Sequence, residues 1–135
     1  MTAPLDLMTG AQDALIKLLQ DQLPAADRGI VRHSLAQDFA PPFHLVGDID
    51  SDNVGRPGEQ LEEIEAEVHS VYRGRDRRQL LIMLHQVRLA CDDARIAIGG
   101  AFFRVRWGGA LASRAAGDGI TYAGATTLHI TAEPA

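Results

Sequence analysis

Asp48, Asp50 and Asp52, with Glu59 following, carry oxygen ligands at the spacing of an EF-hand calcium loop. The chemistry would be hard carboxylate oxygens converging on Ca²⁺. Three departures weaken the match: Asn53 stands where the loop wants glycine, Gly55 stands where a hydrophobic residue pins it, and Pro41-Pro42 precedes it in place of a helix. A solvated hairpin loop is the competing reading. His33 beside Ser34 invites a hydrolase, yet no Gly-x-Ser-x-Gly elbow surrounds the serine and nothing marks its base. Glu65, Glu67 and His69 alternate, which spreads them in a row along a strand, a shape that suits a charged face better than a metal cage. Cys91 is the single cysteine, so the chain has no internal disulfide, and it falls on the apolar side of a helix as a small buried hydrophobe. Zinc spacing, phosphate loops and nucleotide fingerprints are all missing. The expectation is therefore a protein without enzyme activity or cofactor, with no metal beyond the calcium alternative at Asp48, Asp50, Asp52 and Glu59.

These residues must be positioned by elements whose periodicity is readable. Between Glu59 and Tyr72, Ile64, Ala66, Val68, Ser70 and Tyr72 alternate with Glu63, Glu65, Glu67, His69 and Val71, which predicts a half-buried strand with one apolar and one acidic face. Leu61, Ile64, Val68 and Val71 also fit a helical stripe, so periodicity alone leaves both open. Gly74 supplies a turn, and Asp76 can cap a helix from Leu80 to Asp93. On that helix Leu80, Met83, Leu84, Val87, Ala90, Cys91 and Ala94 share one arc at about 100° per residue, while Ile82 and Leu89 fall opposite. An earlier amphipathic helix over 5–23 carries Leu7, Met8, Ala11, Ala14, Leu15, Leu18 and Leu19 on one side, with Asp6 in its first turn and Pro24 as its stop. Short strands are predicted over 29–35 and Phe43 to Val46. A breaker-rich polar loop should follow over 47–60, mobile in the free protein, with Asp48, Asp50, Asp52 and Arg56 offered to a partner. Phe102, Arg104 and Arg106 alternate with Phe103, Val105 and Trp107 on another strand; residues 108–119 read as a loop, and 120–132 as the closing strand. The fold class is α+β: a mainly antiparallel sheet with two helices packed on one side.

Composition sets the outer bounds. With 135 residues, 46% hydrophobic and 23% charged, the chain has enough material for a single core and reads as one domain over 1–135. No apolar run is long enough to span a bilayer, and the start Met1-Thr-Ala-Pro lacks the pattern of a secretory signal, so cytoplasmic synthesis is expected. A net charge of −5 argues against affinity for bare DNA, which needs clustered Lys and Arg, without arguing against DNA passing by.

Taken together, the Glu-rich strand ending Ser-Val-Tyr-Arg-Gly-Arg75, the Arg- and Leu-rich helix, Ala97-Ile-Gly-Gly-Ala-Phe-Phe-Arg-Val-Arg106 and Gly117-Asp-Gly-Ile-Thr-Tyr-Ala-Gly124 resemble the phage tail-terminator, or tail-completion, family. The resemblance covers roughly residues 5–133 and lies in the order and character of the elements. It implies a structural virion protein of a phage, prophage or gene transfer particle, assembled in the bacterial cytoplasm and resident in the virion tail or neck. Such a protein forms a ring, expected to be hexameric, that caps the tail tube and joins it to the head-side connector while DNA passes through the lumen without specific binding. A head-completion or stopper protein of the same neck, or a small calcium-binding module, are the alternatives.

Self-association is then expected through complementary charge and apolar burial at one contact. Glu63, Glu65 and Glu67 would oppose Arg104 and Arg106 of a neighbour, with Ile82 and Leu89 buried beside them.

Overall fold

The computed structural model describes residues 3–23, 31–32 and 41–135. His33, Ser34, Pro24 and most of the strand expected over 29–35 lie outside the described residues. In chain order the elements are α1 (Leu7–Gln22), β1 (Val31–Arg32), β2 (Phe43–Asn53), β3 (Glu62–Arg73), α2 (Arg78–Cys91), β4 (Arg95–Ile98), β5 (Ala101–Ala112) and β6 (Thr121–Pro134). The strands form one six-stranded sheet in the order β1-β2-β3-β6-β5-β4. Only β1 and β2 run parallel; the other neighbours are antiparallel. Both helices pack on the same face, giving the expected α+β architecture.

Asp6 starts α1 by accepting a hydrogen bond from the Thr9 amide at 3.0 Å, while the Thr9 hydroxyl donates to its second oxygen at 2.7 Å. Leu7, Ala11, Ala14, Leu15, Leu18 and Leu19 are buried as their spacing predicts, and Ile16 joins them; Met8 is exposed instead. Gly10 costs the helix about 1 kcal/mol relative to alanine. A Cβ there would lie only 2.7 Å from the Phe103 ring, so glycine is what lets β5 pack close beneath α1. The Asp76 carboxylate accepts from the Arg78 amide at 2.9 Å where α2 begins. Leu80, Met83, Leu84, Val87, Ala90 and Cys91 then bury the arc that the sequence defines. Where α2 crosses β6, Gly124 removes a side chain whose Cβ would meet Leu84 and the Leu111 carbonyl at 2.9 Å.

From the sheet, Ile64, Ala66, Val68, Phe103, Val105, Leu128, Ile130 and Ala132 complete the core. His44 and Ser70 face each other across β2 and β3, fully buried, and share a 2.7 Å hydrogen bond between Nδ1 and Oγ. Polar burial is tolerable there because each side chain gains a hydrogen-bond partner in the dry layer.

Two loop expectations are corrected. Residues 47–53, expected within a long mobile loop, are the outer half of β2, with Ile49–Asn53 in register against Ala66–Glu62 of β3 after a bulge between Val46 and Ile49. Pairing with a strong strand overrides the weak intrinsic preference of Gly, Asp, Ser and Asn. The connection is short and internally hydrogen-bonded: Val54 donates to the Leu61 carbonyl at 2.8 Å, and Glu59 to that of Arg56 at 2.8 Å. Gln60 also holds the N-terminal segment, its amide accepting from Leu5 N–H at 3.0 Å and donating to Leu5 C=O at 2.8 Å. Likewise β5 runs on through Gly108 and Gly109 to Ala112, past a bulge between Trp107 and Gly109.

Two surface carboxylates mark the acid side of the stability profile. Thr9 hydrogen bonds hold Asp6 below the usual carboxylate value, backbone N–H first. Asp118 is lowered by the Thr121 hydroxyl, then by the amides of Ile120 and Thr121. A depressed folded pKa gives stability that is complete above the unfolded value, about 4, and is lost as pH falls through the folded one. Urea midpoints should therefore drop on acidification below about pH 5. In Asp6→Asn/Asp118→Asn that acid limb should be shallower than in the wild type.

Candidate interaction surface

The sheet face turned away from the helices carries nearly all the charge the sequence singled out. Register places the side chains in rows across the strands. One row runs Asp52, Glu63, Thr131, Arg104, Arg95; the next runs Asp50, Glu65, His129, Arg106. Acidic residues of β2 and β3 thus occupy one margin, and arginines of β4 and β5 the other. Between them stands β6, whose contribution is Thr127, His129 and Thr131. Two inter-strand spacings separate β3 from β5, about 10 Å.

Glu63, Glu65, Arg104 and Arg106 are therefore brought to one face, which periodicity left open, but not into contact within the chain. Glu67 lies further along, 3.4 Å from His69 Nε2, and so has a local partner. Arg104 reaches Asp93 at 3.5 Å. Asp50, Asp52, Glu63, Glu65, Arg95 and Arg106 have no ion pair among the described residues. Asp50 and Asp52 together with Arg95 were missed as parts of this surface. Asp-Ile-Asp-Ser-Asp52 is itself a period-two alternation, and that signal could have found them.

Ile82 and Leu89 are exposed, as expected, but on the outer side of α2, opposite its core arc. Helix and open face lie on opposite layers of the molecule. The single contact expected to bury Ile82 and Leu89 beside the charged residues is thus not one surface. Leu81 widens the exposed helix stripe.

The calcium reading is corrected by the same geometry. An EF-hand needs a loop that curls its carboxylates inward, whereas Asp48, Asp50 and Asp52 lie along an extended strand and Glu59 sits in the hairpin connection beyond it. Among the described residues, no cluster of three His, Cys, Asp or Glu side chains is placed to hold a metal ion. Arg56, expected on the partner-contact loop, is exposed at the hairpin tip.

Cys91 is fully buried, and desolvation pushes its thiol up to about 12. A thiolate is the reactive form, so Cys91 should resist thiol reagents at pH 8 until the protein is unfolded. A colorimetric thiol titration with and without denaturant checks this; rapid labelling of the native chain would contradict it. Nearby, the Arg88 guanidinium stacks 3.9 Å over the Trp107 ring, and Asp92 accepts from the Trp107 amide at 3.0 Å, pinning the end of α2 to β5.

The architecture defines a small α+β protein with a helix-covered sheet whose open face is split between two signs of charge. In the same fold class stands a chain from the virion of a native gene transfer agent particle, with a TM-score of 0.81 over 96% of this chain and 99% of that one, at 12% identity. The likeness is one of fold. No protein-family profile matches the sequence, and no curated protein does. Among the described residues, no helix is long and apolar enough to cross a membrane.

Proposed function

We propose that this chain is a structural virion protein, a tail terminator whose copies close into a ring, hexameric by family resemblance, at the head-proximal end of a tail tube. The observation that carries the reading is the fold match with a gene transfer agent virion chain, nearly complete over both chains. The ring caps the tube, meets the head-side connector or stopper and lets DNA pass through its lumen. Its partners are other copies of itself and those two neighbours, and its place is the tail or neck of a particle assembled in the bacterial cytoplasm. A small chain can do this with one repeated head-to-tail interface, provided the rotation between copies divides a circle. The acidic balance suits a conduit, because a basic lumen would retain the DNA that must slide. Arg56 at the hairpin tip is offered to an adjoining ring.

Negative-stain imaging of the purified protein, alone and with isolated tail tubes, tests the reading. Closed rings with a central opening, or rings seated at one end of the tubes, are the expected result. Protein that stays monomeric at every concentration and leaves tube ends bare would overturn it.

A further inference from the structure

At both margins of the open face, like charges stand directly opposite one another. Asp52 faces Glu63 and Asp50 faces Glu65 across β2 and β3, while Arg95 faces Arg104 across β4 and β5. Like charges in direct cross-strand register destabilise a sheet. Nothing within the described residues relieves them except Asp93, which reaches Arg104 alone. Each margin lacks what the other holds, and β6 keeps them apart.

We infer that the partner at each margin is a second copy of this chain, the basic margin of one lying beside the acidic margin of the next, so that neighbouring sheets continue edge to edge. This rests on the ring reading above and names its contact. The row register supports it. Asp52, Glu63, Thr131, Arg104 and Arg95 occupy one row, so continuing past Arg95 brings in Asp52 of the next copy with no slip along the strands. With the strands set along the rotation axis, a repeat without slip has no rise. Rotation without rise closes into a ring; rotation with rise winds into a filament. Both edges also offer backbone: among the described residues β1 covers only His44 and Leu45 of β2, and β4 pairs with β5 only from Ala101 to Arg104.

Charge reversal at each margin tests the contact. Asp52→Lys/Glu63→Lys makes that row basic at both ends, and Arg95→Glu/Arg104→Glu makes it acidic at both. Either alone should associate at least about tenfold more weakly than the wild type in sedimentation, and the loss should be largest at low salt. An equimolar mixture should recover assembly, since the two chains can alternate around an even-numbered ring. Circular dichroism confirms that each variant is folded. As a second measurement, Asp52→Cys/Arg95→Cys should yield disulfide-linked oligomers on oxidation, with buried Cys91 silent. Wild-type rings whose margin variants assemble normally, or a mixture that fails to recover, would overturn the edge contact and leave the ring reading standing. A wild type that neither sediments as an oligomer nor cross-links through these cysteines would overturn both.

Discussion

Phe103→Ala should remove about 3–5 kcal/mol of folding stability, the largest loss expected from a single truncation among the described residues. Phe103 is the largest fully buried side chain among the described residues, sitting on β5 between the sheet and α1. Its ring fills the space that Gly10 leaves open on the helix, where even a methyl group would approach it to 2.7 Å. Truncation would leave a cavity bounded by helix backbone, which cannot collapse inward without moving α1 as a whole. A domain of this size has about 5–15 kcal/mol in total, so the variant should be near the edge of folding. Urea denaturation followed by far-UV circular dichroism gives the number. A loss under about 1 kcal/mol would mean that α1 settles onto β5 and refills the space. Gly10→Ala in the Phe103→Ala background should then recover part of the loss, because the added methyl group enters the vacated volume and improves helix propensity.

Two positions on α2, two residues apart, should respond to aspartate in opposite ways. Val87 is fully buried, and Val87→Asp places an unpaired carboxylate in the core, a penalty of about 3–5 kcal/mol added to the lost apolar burial. That variant should be unfolded or molten at 37 °C. Leu89 is 70% exposed, and Leu89→Asp should cost no more than about 1 kcal/mol, mostly from a negative charge close to the helix C-terminus. Ile82→Asp should behave like Leu89→Asp. Thermal melts with near-UV circular dichroism separate the two outcomes. Cooperative unfolding of Val87→Asp near the wild-type midpoint would contradict the packing of α2 on the sheet.

Those helix positions were legible because the chain repeats its apolar residues at the period of the element. Val87 and Leu89 are distinguished by arc alone, and alternation over Ile64 to Tyr72, which a helical stripe also fitted, marks the strand that pairs with both β2 and β6. Less was legible where an element draws its stability from its neighbour. Gly47 to Asn53 reads as a loop by composition, yet it is held as strand by β3. Gly108 and Gly109 read as breakers, yet β5 bulges past them and stays paired with β6. The four-residue β4 was not foreseen at all, being too short for any period to show. At the surface Glu63, Glu65, Arg104 and Arg106 were named from alternation, but the strand order was not legible. Whether Glu65 meets Arg106 depends on which strand lies between them, and nothing in either strand's own residues says that β6 does.

That strand order also shapes how the chain acquires its structure. The β2–β3 pair and the β4–β5–β6 meander each join strands that are consecutive in their sheet and close in sequence. In the sheet the two meet only where β6 lies beside β3. Docking it joins Glu62 to Ala132 and Arg73 to Thr121, contacts whose closure entropy must be met before they return any stability. Joining β6 to β3 is thus the expected slow step, and the two charged margins acquire their fixed spacing only when it is complete. Until then a nascent chain presents two unjoined half-sheets, each carrying one of the two charged margins.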